Sequence, residues 1–492
     1  MIDFQSSFEH AVPASFRDPA GRLFRVGERV IRIVNSKGAP DLEAFLASNT
    51  WRSFVEEGRL IGTRVLDPAV VACDVEFAGI RSDLRAEDSL VLEHDQIPFQ
   101  SFPYEWPPEM LYAAGKLTLD LAESLLDEGL GLKDATPYNV LFRGPDAVFV
   151  DLLSFERRTP GDPTWLPYAQ FVRTFLMPLL VNRYFGVALD QLLISRRDGL
   201  EPEDVYRLAG WFQKLSPPLL SLVSIPTWLN ARHDPDNLSI YRSKTLDNHE
   251  KARFIIGVLL KRLRRTLNKL APKRDRSSAW SDYRTCNNNY TEPQLRAKER
   301  FVDAVITEFR PKRVLDVGCN TGEFSRIAAK RGARVVAIDS DAVVVGETWR
   351  RACAEGFDIL PMVIDLTRPS PAIGWRNSEC SSFLDRARGA FDAVLMLAVV
   401  HHMLVGERIP LDEIIDLAAE ITTDLLVIEF ITPDDSMFRR LARGRDHLFT
   451  DLTTELFENS CSRRFEIIRS EHLEGASRWL YLLRKRGTRA NA

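Results

Sequence analysis

The sequence of 492 residues lacks several features that would assign it quickly to a class of protein. Its six cysteines form no C-x-x-C pair and no metal-ligand spacing, so we expect free thiols in a reducing compartment rather than a disulfide framework. No run of about 18 apolar residues occurs, so no transmembrane segment is expected. The N-terminus has neither a basic segment nor an apolar core, which predicts a cytoplasmic protein without a signal peptide. The formal net charge is only −4, so the composition provides no strong signal of nucleic-acid binding.

The most informative stretch is residues 313–339, RVLDVGCNTGEFSRIAAKRGARVVAID. A short apolar run ends at Gly318, an amphipathic segment follows at residues 321–331, and a second β-branched run ends at Asp339. This order predicts strand, glycine turn, helix and strand, with a ligand crevice at the carboxyl ends of the strands. Gly318 and Gly322 allow a tight turn and a close approach to a ligand, and an acid such as Asp339 accepts hydrogen bonds from ribose hydroxyls. The alternative is an ordinary tight turn.

The acid and glycines of this loop resemble motif I of the class I S-adenosylmethionine (SAM) methyltransferases. The match departs at Asn320, where that family usually has glycine. The resemblance implies that the loop and Asp316 hold the methionyl end of SAM, that Asp339 holds the ribose, and that Asp365 flanks the adenine, whose amine a carboxylate can accept. The cofactor-binding residues that it implies are Asp316, Gly318, Cys319, Asn320, Gly322, Asp339, Ser340, Asp365 and Leu366.

The rest of the C-terminal half continues the alternation of strands and helices. Further strands are predicted at 357–364, 391–399 and 425–430, helices at 291–309, 342–355 and 411–421, and a final antiparallel pair at 465–469 and 479–484. Together with the first two strands, this predicts an α/β fold with a Rossmann-like, seven-stranded methyltransferase domain over residues 281–492.

Candidate catalytic side chains follow two of these strands. His401 and His402 come directly after the fourth strand, where the methyl group of the cofactor should point, and Glu429 lies at the end of the fifth. An imidazole titrates near neutral pH, so one histidine is a candidate base. The alternative is that one histidine is satisfied in the core while the other orients a loop. Tyr283 and Tyr290 are candidate contacts of a lid over the cofactor, and no metal site is expected in this domain.

A second pattern occupies residues 131–156, GLKDATPYNVLFRGPDAVFVDLLSFE. Asp134 precedes Asn139 by five residues, and Asp151 follows after a short hairpin. This spacing resembles the catalytic loop of the protein kinase and aminoglycoside phosphotransferase superfamily. The resemblance implies an N-terminal α+β kinase-like domain over residues 1–250, with Asp134, Asn139 and Asp151 as candidate nucleotide and magnesium ligands for Mg-ATP.

The N-terminal half also departs from that superfamily. Leu132 and Lys133 stand where a histidine is usual, no G-x-G-x-x-G loop is present, and Arg32 stands where a lysine would be sought. Three interpretations therefore stay open: an active kinase, a kinase-like domain that binds without turnover, and acids and an amide that only cap turns. Elsewhere in this half, the patterns predict a hairpin at 21–34, strands at 70–77 and 90–94, and a helix at 109–130.

Residues 251–280 form a basic helix and linker in this interpretation. The helix suits an anionic membrane surface or nucleic acid, although a solvated helix is the plainer account. The chain as a whole resembles bacterial proteins related to host-specific nodulation methyltransferases, which implies a small-molecule or carbohydrate-type substrate. We therefore expect a SAM-dependent methyltransferase. The rivals are a bifunctional kinase-methyltransferase and a SAM- or nucleotide-sensing scaffold without turnover.

Overall fold

The computed structural model describes residues 13–15, 17–73, 77, 80, 90–230, 245–274, 276–278 and 290–487. The chain divides into two compact units. Unit 1 comprises Met1–Tyr104, Met110–Phe142 and Asp146–Pro272, and unit 2 comprises Glu105–Glu109, Arg143–Pro145 and Lys273–Ala492. No helix among the described residues is long and apolar enough to cross a membrane.

The N-terminal part of the chain is a mixture of short strands and helices. Its strands are β1 Pro13–Ser15, β2 Gly21–Val26, β3 Arg29–Val34, β4 Thr63–Leu66, β5 Leu90–His94, β6 Leu130–Leu132, β7 Val140–Arg143, β8 Asp146–Phe149 and β9 Phe155–Arg157. Its helices are α1 Ala39–Leu46, α2 Asn49–Glu56, α3 Pro68–Cys73, α4 Pro108–Asp127, α5 Tyr168–Phe171, α6 Met177–Phe185, α7 Leu189–Leu193, α8 Pro202–Leu208, α9 Pro217–Leu219, α10 Ile225–Asn230 and α11 His249–Lys269.

The main sheet of unit 1 has the order β1-β2-β3-β5-β4, and the pairs β6-β9 and β7-β8 are separate. The predicted hairpin at 21–34 is confirmed as β2 and β3, which pair antiparallel around Gly27, a glycine with a left-handed φ of 59°. The prediction of a strand at 70–77 is wrong, because helix α3 occupies its first part. The Asp67 carboxylate accepts the backbone N–H of Ala69 at 2.8 Å, and such a cap favours a helix over a strand in a short apolar run.

Unit 2 contains a larger sheet flanked by helices. Its strands are β10 Arg313–Val317, β11 Arg334–Asp339, β12 Ile359–Val363, β13 Phe391–Met396, β14 Thr422–Ile431, β15 Phe465–His472 and β16 Arg478–Lys485. Its helices are α12 Glu292–Phe309, α13 Glu323–Lys330, α14 Ala342–Glu355, α15 Phe383–Ala387, α16 Leu411–Ile421, α17 Ser436–Ala442 and α18 Thr454–Ser462. Each predicted strand of this half overlaps an observed one, with shifts of a few residues at the ends.

The seven strands lie in the order β12-β11-β10-β13-β14-β16-β15. The first five in this order run parallel, and β16 pairs antiparallel with both β14 and β15. The parallel strands are almost continuously buried, as expected of a sheet that is covered on both faces. Strand β10 has β11 on one side and β13 on the other, so the chain reverses direction across the sheet at β10. Such a reversal opens a crevice at the carboxyl ends of the strands.

Candidate functional site

A cavity of about 310 Å³ lies at this reversal, beyond the carboxyl ends of β10 to β13. The loops that follow four different strands form its walls. The lining residues are Val317, Gly318, Asn320, Asp339, Ser340, Ile364, Asp365, Leu366, Thr367, Leu397, Ala398, Val399, His402, Met403, Gly406 and Glu407. The structure therefore brings together Gly318, Asn320, Asp339, Ser340, Asp365, Leu366 and His402 of the residues that the sequence singled out.

The glycine loop after β10 approaches the opposite wall closely. Gly318 has a φ of 70°, and the backbone N–H groups of Gly318 and Cys319 donate to the carbonyl of Ile338 at 2.8 and 3.0 Å. A Cβ atom at Gly318 would lie only 2.2 Å from Cγ1 of Val399. Asn320 also has a left-handed backbone, with a φ of 49°. Asparagine is among the few non-glycine residues that adopt this conformation readily, which explains how it stands at a position usually held by glycine.

Asp339, at the end of β11, holds the loop from the side of the cavity. One carboxylate oxygen accepts the backbone N–H of Asn320 and the other accepts that of Asp341, both at 3.0 Å. The side chain keeps a partly open edge toward the cavity, but the surrounding protein removes most of its water, and this burial raises the pKa of Asp339 to about 6. The Ser340 backbone N–H donates to the same carboxylate. A carboxylate has about four acceptor positions, so Asp339 can still accept a hydroxyl group.

Asp365 lies on the next wall, after β12. One of its carboxylate oxygens accepts the backbone N–H of Thr367 at 2.9 Å and the Thr367 hydroxyl at 2.6 Å. These two bonds fix the orientation of the carboxylate beside Ser340 and Leu366, which line the same part of the cavity. The arrangement offers a fixed acceptor next to an apolar surface, as a purine ring with an exocyclic amine requires.

Three residues of the predicted set lie behind the loop and do not line the cavity. Asp316 is buried within β10 and accepts the Ser325 hydroxyl at 2.6 Å, and burial raises its pKa to about 7. Cys319 is buried as well, and burial raises the pKa of its thiol. Gly322, with a φ of 79°, abuts Thr348, whose hydroxyl donates to the Asn320 carbonyl at 2.9 Å. These residues therefore shape the loop from its buried side.

The two histidines occupy different positions. His402 lines the cavity at the start of a π-helical turn, His402–Gly406, and the His401 ring lies 4.2 Å away and is buried. Burial lowers the pKa of both imidazoles, so both are neutral at pH 7. His401 Nδ1 has no hydrogen-bond partner among the described residues. Ala398, just upstream in the same wall, has a left-handed φ of 57°, and such strain is common at functional sites.

Glu429 does not line the cavity. It is fully buried in β14, where Lys298 Nζ donates to one oxygen at 2.8 Å and the Tyr290 hydroxyl donates to the other at 2.7 Å. Arg478 lies 3.9 Å from Glu429 and donates to Asp435 at 2.9 Å. Two cations and two carboxylates thus form a neutral buried network that joins α12 to the sheet. Of the two tyrosines named as lid contacts, Tyr290 lies in this network, and Tyr283 lies outside the described residues.

In unit 1, the residues of the kinase-like pattern also meet. Asp151 accepts the Arg32 guanidinium at 2.9 Å through one oxygen and the Ser154 hydroxyl at 2.6 Å through the other. The Asn139 amide donates to the same hydroxyl at 2.9 Å, and Asp134 has its pKa raised by burial and by the nearby charge of Asp151. No cluster of three or more metal-binding side chains occurs among the described residues. These contacts do not fit a preformed magnesium site, because Arg32 already neutralises the carboxylate that would bind the ion.

Comparison with known proteins identifies a methyltransferase domain in the C-terminal half of the chain. Residues 259–478 match a family model described as a methyltransferase domain, and this range includes every residue that lines the cavity. Nodulation protein NoeA of Rhizobium meliloti (strain 1021) is 29% identical over 472 residues, which are 96% of this chain and 95% of NoeA. The chain is a SAM-dependent methyltransferase.

Two solved structures that are similar to this methyltransferase each cover less than half of it. The N-methyltransferase NodS from Bradyrhizobium japonicum WM9 in complex with S-adenosyl-L-homocysteine is 16% identical, covering 44% of this chain and 95% of that chain, with a TM-score of 0.31. The bifunctional kinase-methyltransferase WbdD is 19% identical, covering 40% of each chain, with a TM-score of 0.27. At such TM-scores neither similarity carries a conclusion about the substrate or about unit 1.

Proposed function

We propose that the methyltransferase binds SAM in the 310 Å³ cavity and transfers its methyl group to an oxygen or nitrogen of a small-molecule or carbohydrate-type acceptor. The observation that carries the proposal is the convergence of the glycine loop, Asp339, Asp365 and His402 on one cavity, from the ends of four strands. In this assignment the loop at residues 318–322 faces the methionyl end, Asp339 accepts the ribose hydroxyls, and Asp365 accepts the adenine amine.

The residues around the cavity suit a displacement reaction. SAM, when bound, supplies an electrophilic methyl group, and the protein has to orient the acceptor and remove its proton. His402 is neutral because burial lowers its pKa, so its ring nitrogen can accept a proton from an acceptor hydroxyl or ammonium group. We assign His402 as the base, and we assign His401, which is buried against it, as a positioning residue.

Glu429 has a different role in this proposal from the catalytic one that the sequence suggested. Both of its oxygens already accept hydrogen bonds from Lys298 and Tyr290, and no solvent reaches it. A carboxylate held in this way keeps α12 against the sheet and does not exchange protons with an acceptor. We therefore propose Glu429 as a positioning residue.

The proposed class of acceptor is supported by the relative that spans almost the whole chain. NoeA is named as a nodulation protein and aligns with both units. We propose a carbohydrate-type acceptor on this basis, with any other hydroxyl- or amine-bearing small molecule as the competing possibility.

Calorimetric titration of the purified full chain with SAM tests the assignment of the cavity. We expect wild-type protein to bind SAM and Asp339→Ala to bind at least roughly tenfold more weakly, since the acceptor for the ribose hydroxyls and the anchor of Asn320 are lost. Asp303→Ala is the matched control, because Asp303 is a carboxylate on the surface of α12 that is ion-paired with Arg331 and does not line the cavity. Absence of SAM binding by the wild type, or an equal effect of both substitutions, contradicts the assignment.

For residues 1–250 we propose a kinase-like domain that does not turn over Mg-ATP. The ion pair between Arg32 and Asp151 supports this proposal, because a guanidinium occupies the carboxylate that would hold magnesium. The expected result is no magnesium-dependent release of phosphate from ATP by the wild-type chain. Turnover that disappears in Asp151→Ala would instead establish the bifunctional enzyme.

A further inference from the structure

Helix α11, His249–Lys269, has one buried side and one exposed side. The buried side is a row of aliphatic residues that repeat every three or four positions: Ala252, Ile256, Leu260, Leu263 and Leu267. At about 100° per residue, a second row of residues falls on the opposite side of the helix. We call this second row the outer face of α11, and it consists of six exposed residues: Phe254, Val258, Lys261, Arg262, Arg265 and Lys269.

The first half of the outer face is apolar. Phe254 is 70% exposed and Val258, one turn later, is 50% exposed, and Ile255 beside them is 39% exposed. A helix that contacts only the core of its own domain carries polar side chains on its solvent side. The three apolar side chains therefore form a small hydrophobic patch at one end of the outer face.

The second half of the outer face is basic, since its remaining four side chains are all lysine or arginine. None of these four cations forms an ion pair with a described residue. On the flank of the same helix, by contrast, Arg264 is paired with Asp120 at 2.7 Å and with Glu123 at 2.8 Å, both on α4. The carboxylates that α4 provides are thus directed to the flank of α11 and leave the outer face positive.

The excess of cations persists when the flanking sequence and the packed elements are counted. Residues 231–290 contain 14 lysines and arginines against 6 aspartates and glutamates. The loop at residues 158–162 adds one charge of each sign, and Arg183 of α6, which donates to the carbonyl of Ala271, adds one cation. Helix α4 packs along α11 and adds one cation and three carboxylates: Lys116, Asp120, Glu123 and Asp127. The cations of these segments therefore outnumber the carboxylates by 17 to 10.

We propose that the outer face of α11 docks on an anionic membrane surface, with the helix axis along that surface. Phe254 and Val258 would enter the boundary between headgroups and acyl chains, and the four cations would contact the lipid phosphates. Clusters of about four to eight lysines and arginines on an amphipathic helix are typical of binding to anionic headgroups. The outer face shares no residue with the SAM cavity, and the proposal is independent of the methyl acceptor.

Two other occupants fit the outer face less well. A second copy of the chain that docked through the whole face would oppose either cations with cations or the apolar patch with cations. The backbone of a nucleic acid would neutralise the cations, but it offers no apolar surface to Phe254 and Val258. A lipid surface provides both phosphate groups and an apolar layer within the reach of one side chain.

Co-sedimentation of the full chain with lipid vesicles tests the proposal. We expect binding to vesicles of phosphatidylcholine with phosphatidylglycerol, much less binding to phosphatidylcholine alone, and a loss of affinity as salt is added. A quadruple variant that removes the four cations should bind the anionic vesicles at least about 100-fold more weakly. Its substitutions are Lys261→Gln/Arg262→Gln/Arg265→Gln/Lys269→Gln.

A double variant, Phe254→Gln/Val258→Gln, tests the apolar half of the outer face. It keeps every charge, so its affinity for the anionic vesicles should fall at least about fivefold, and this loss should persist at high salt because apolar insertion is not screened. The matched control removes the same charge as the quadruple variant at four exposed cations of other elements: Lys37→Gln/Arg52→Gln/Arg300→Gln/Lys330→Gln. The control should bind the vesicles nearly as well as the wild type, and all variants should retain the wild-type melting profile, since only exposed side chains change.

The proposal is overturned if the wild type does not bind anionic vesicles, or if either the quadruple or the double variant binds them as well as the wild type does. It is also overturned if the matched control loses as much affinity as the quadruple variant, since net charge alone would then explain the binding. A wild type that ignores the vesicles but binds a short RNA duplex through the four cations would make the outer face a nucleic-acid site. A wild-type dimer that the double variant dissociates would make it an interface between copies of the chain.

Discussion

The glycine loop yields the sharpest prediction, because the close approach of Gly318 to Val399 is visible as a single distance. Replacing Gly318 with alanine adds a Cβ atom 2.2 Å from Cγ1 of Val399, at a position whose φ is 70°. Valine is stiff at χ1, so the clash cannot be relieved by a small rotation. Either the loop or the wall that contains Val399 must move, and both line the cavity.

The magnitude has two parts that a control can separate. An L-residue in the left-handed conformation costs about 1–2 kcal/mol, and overpacking adds about 1–3 kcal/mol. Gly332 follows α13 with a φ of 88°, but no atom lies within 4 Å of the Cβ that alanine would add there. Gly332→Ala therefore measures the backbone part alone, and Gly318→Ala should lower the free energy of unfolding by about 2–5 kcal/mol in total.

Scanning calorimetry of the full chain and titration with SAM form the assay. Gly332→Ala should leave the affinity for SAM unchanged, whereas Gly318→Ala should weaken it at least about tenfold, or 1.4 kcal/mol. Adding Val399→Ala to Gly318→Ala removes the clashing methyl group and should restore much of the affinity. Equal losses of stability in the two glycine variants, with SAM binding intact in both, would refute the reasoning.

Three further predictions concern buried ionisable groups. Burial raises the pKa of Asp316 from 3.8 to about 7, so this carboxyl stays protonated in the native state below pH 7. The stability that this confers is complete below pH 4 and is lost as the pH rises to 7, by on the order of 4 kcal/mol. Calorimetry of Asp316→Asn across this range should show a weaker dependence of the free energy of unfolding on pH. Lys298→Met removes the cation that is hydrogen-bonded to the buried Glu429 and leaves only Arg478, 3.9 Å away, to offset its charge. The substitution should destabilise unit 2 by about 3–5 kcal/mol in thermal melts, and adding Glu429→Gln should recover part of the loss. His402→Gln should bind SAM normally in calorimetry but transfer methyl groups about 10²- to 10⁴-fold more slowly. Because burial lowers the pKa of His402, the acidic limb of the wild-type pH–rate profile should lie below pH 6.5. An acidic limb above that pH would contradict the role of His402 as the base.

Much of the crevice was predictable from the sequence, because Asp339, Asp365 and His402 lie at or shortly after the carboxyl ends of three strands. Asp339 ends β11, Asp365 follows β12, and His402 follows β13. Parallel buried strands appear in a sequence as apolar runs that end at glycine or an acid, and their carboxyl ends meet at one edge of the sheet. Local order along the chain therefore specified which side chains share the cavity.

The buried network could not be found in this way. Lys298 and Glu429 are 131 positions apart and lie on different elements, so no spacing along the chain connects them. The burial of Asp316 was missed for a related reason, since the pattern shows that the residue belongs to a strand but not which group its carboxylate meets. A polar residue on the apolar side of α12 was the only available signal, and a lysine there commonly covers apolar surface with its stem while its ammonium group reaches water.

The charges that line the cavity affect how the enzyme would release its spent cofactor after each reaction. Among the lining residues are three carboxylates, Asp339, Asp365 and Glu407, and no lysine or arginine. Within the part of the chain that the structure describes, only Glu407 of these three is paired with a cation, Arg368, which lies outside the lining. The methyl donor carries a positive sulfonium, whereas the spent cofactor is a neutral thioether. In the proposed assignment, the anionic crevice attracts the donor more strongly than the by-product and favours the exchange of by-product for donor after transfer. Added salt should reduce the difference in affinity between the donor and the by-product, because it screens the attraction between the sulfonium and the carboxylates.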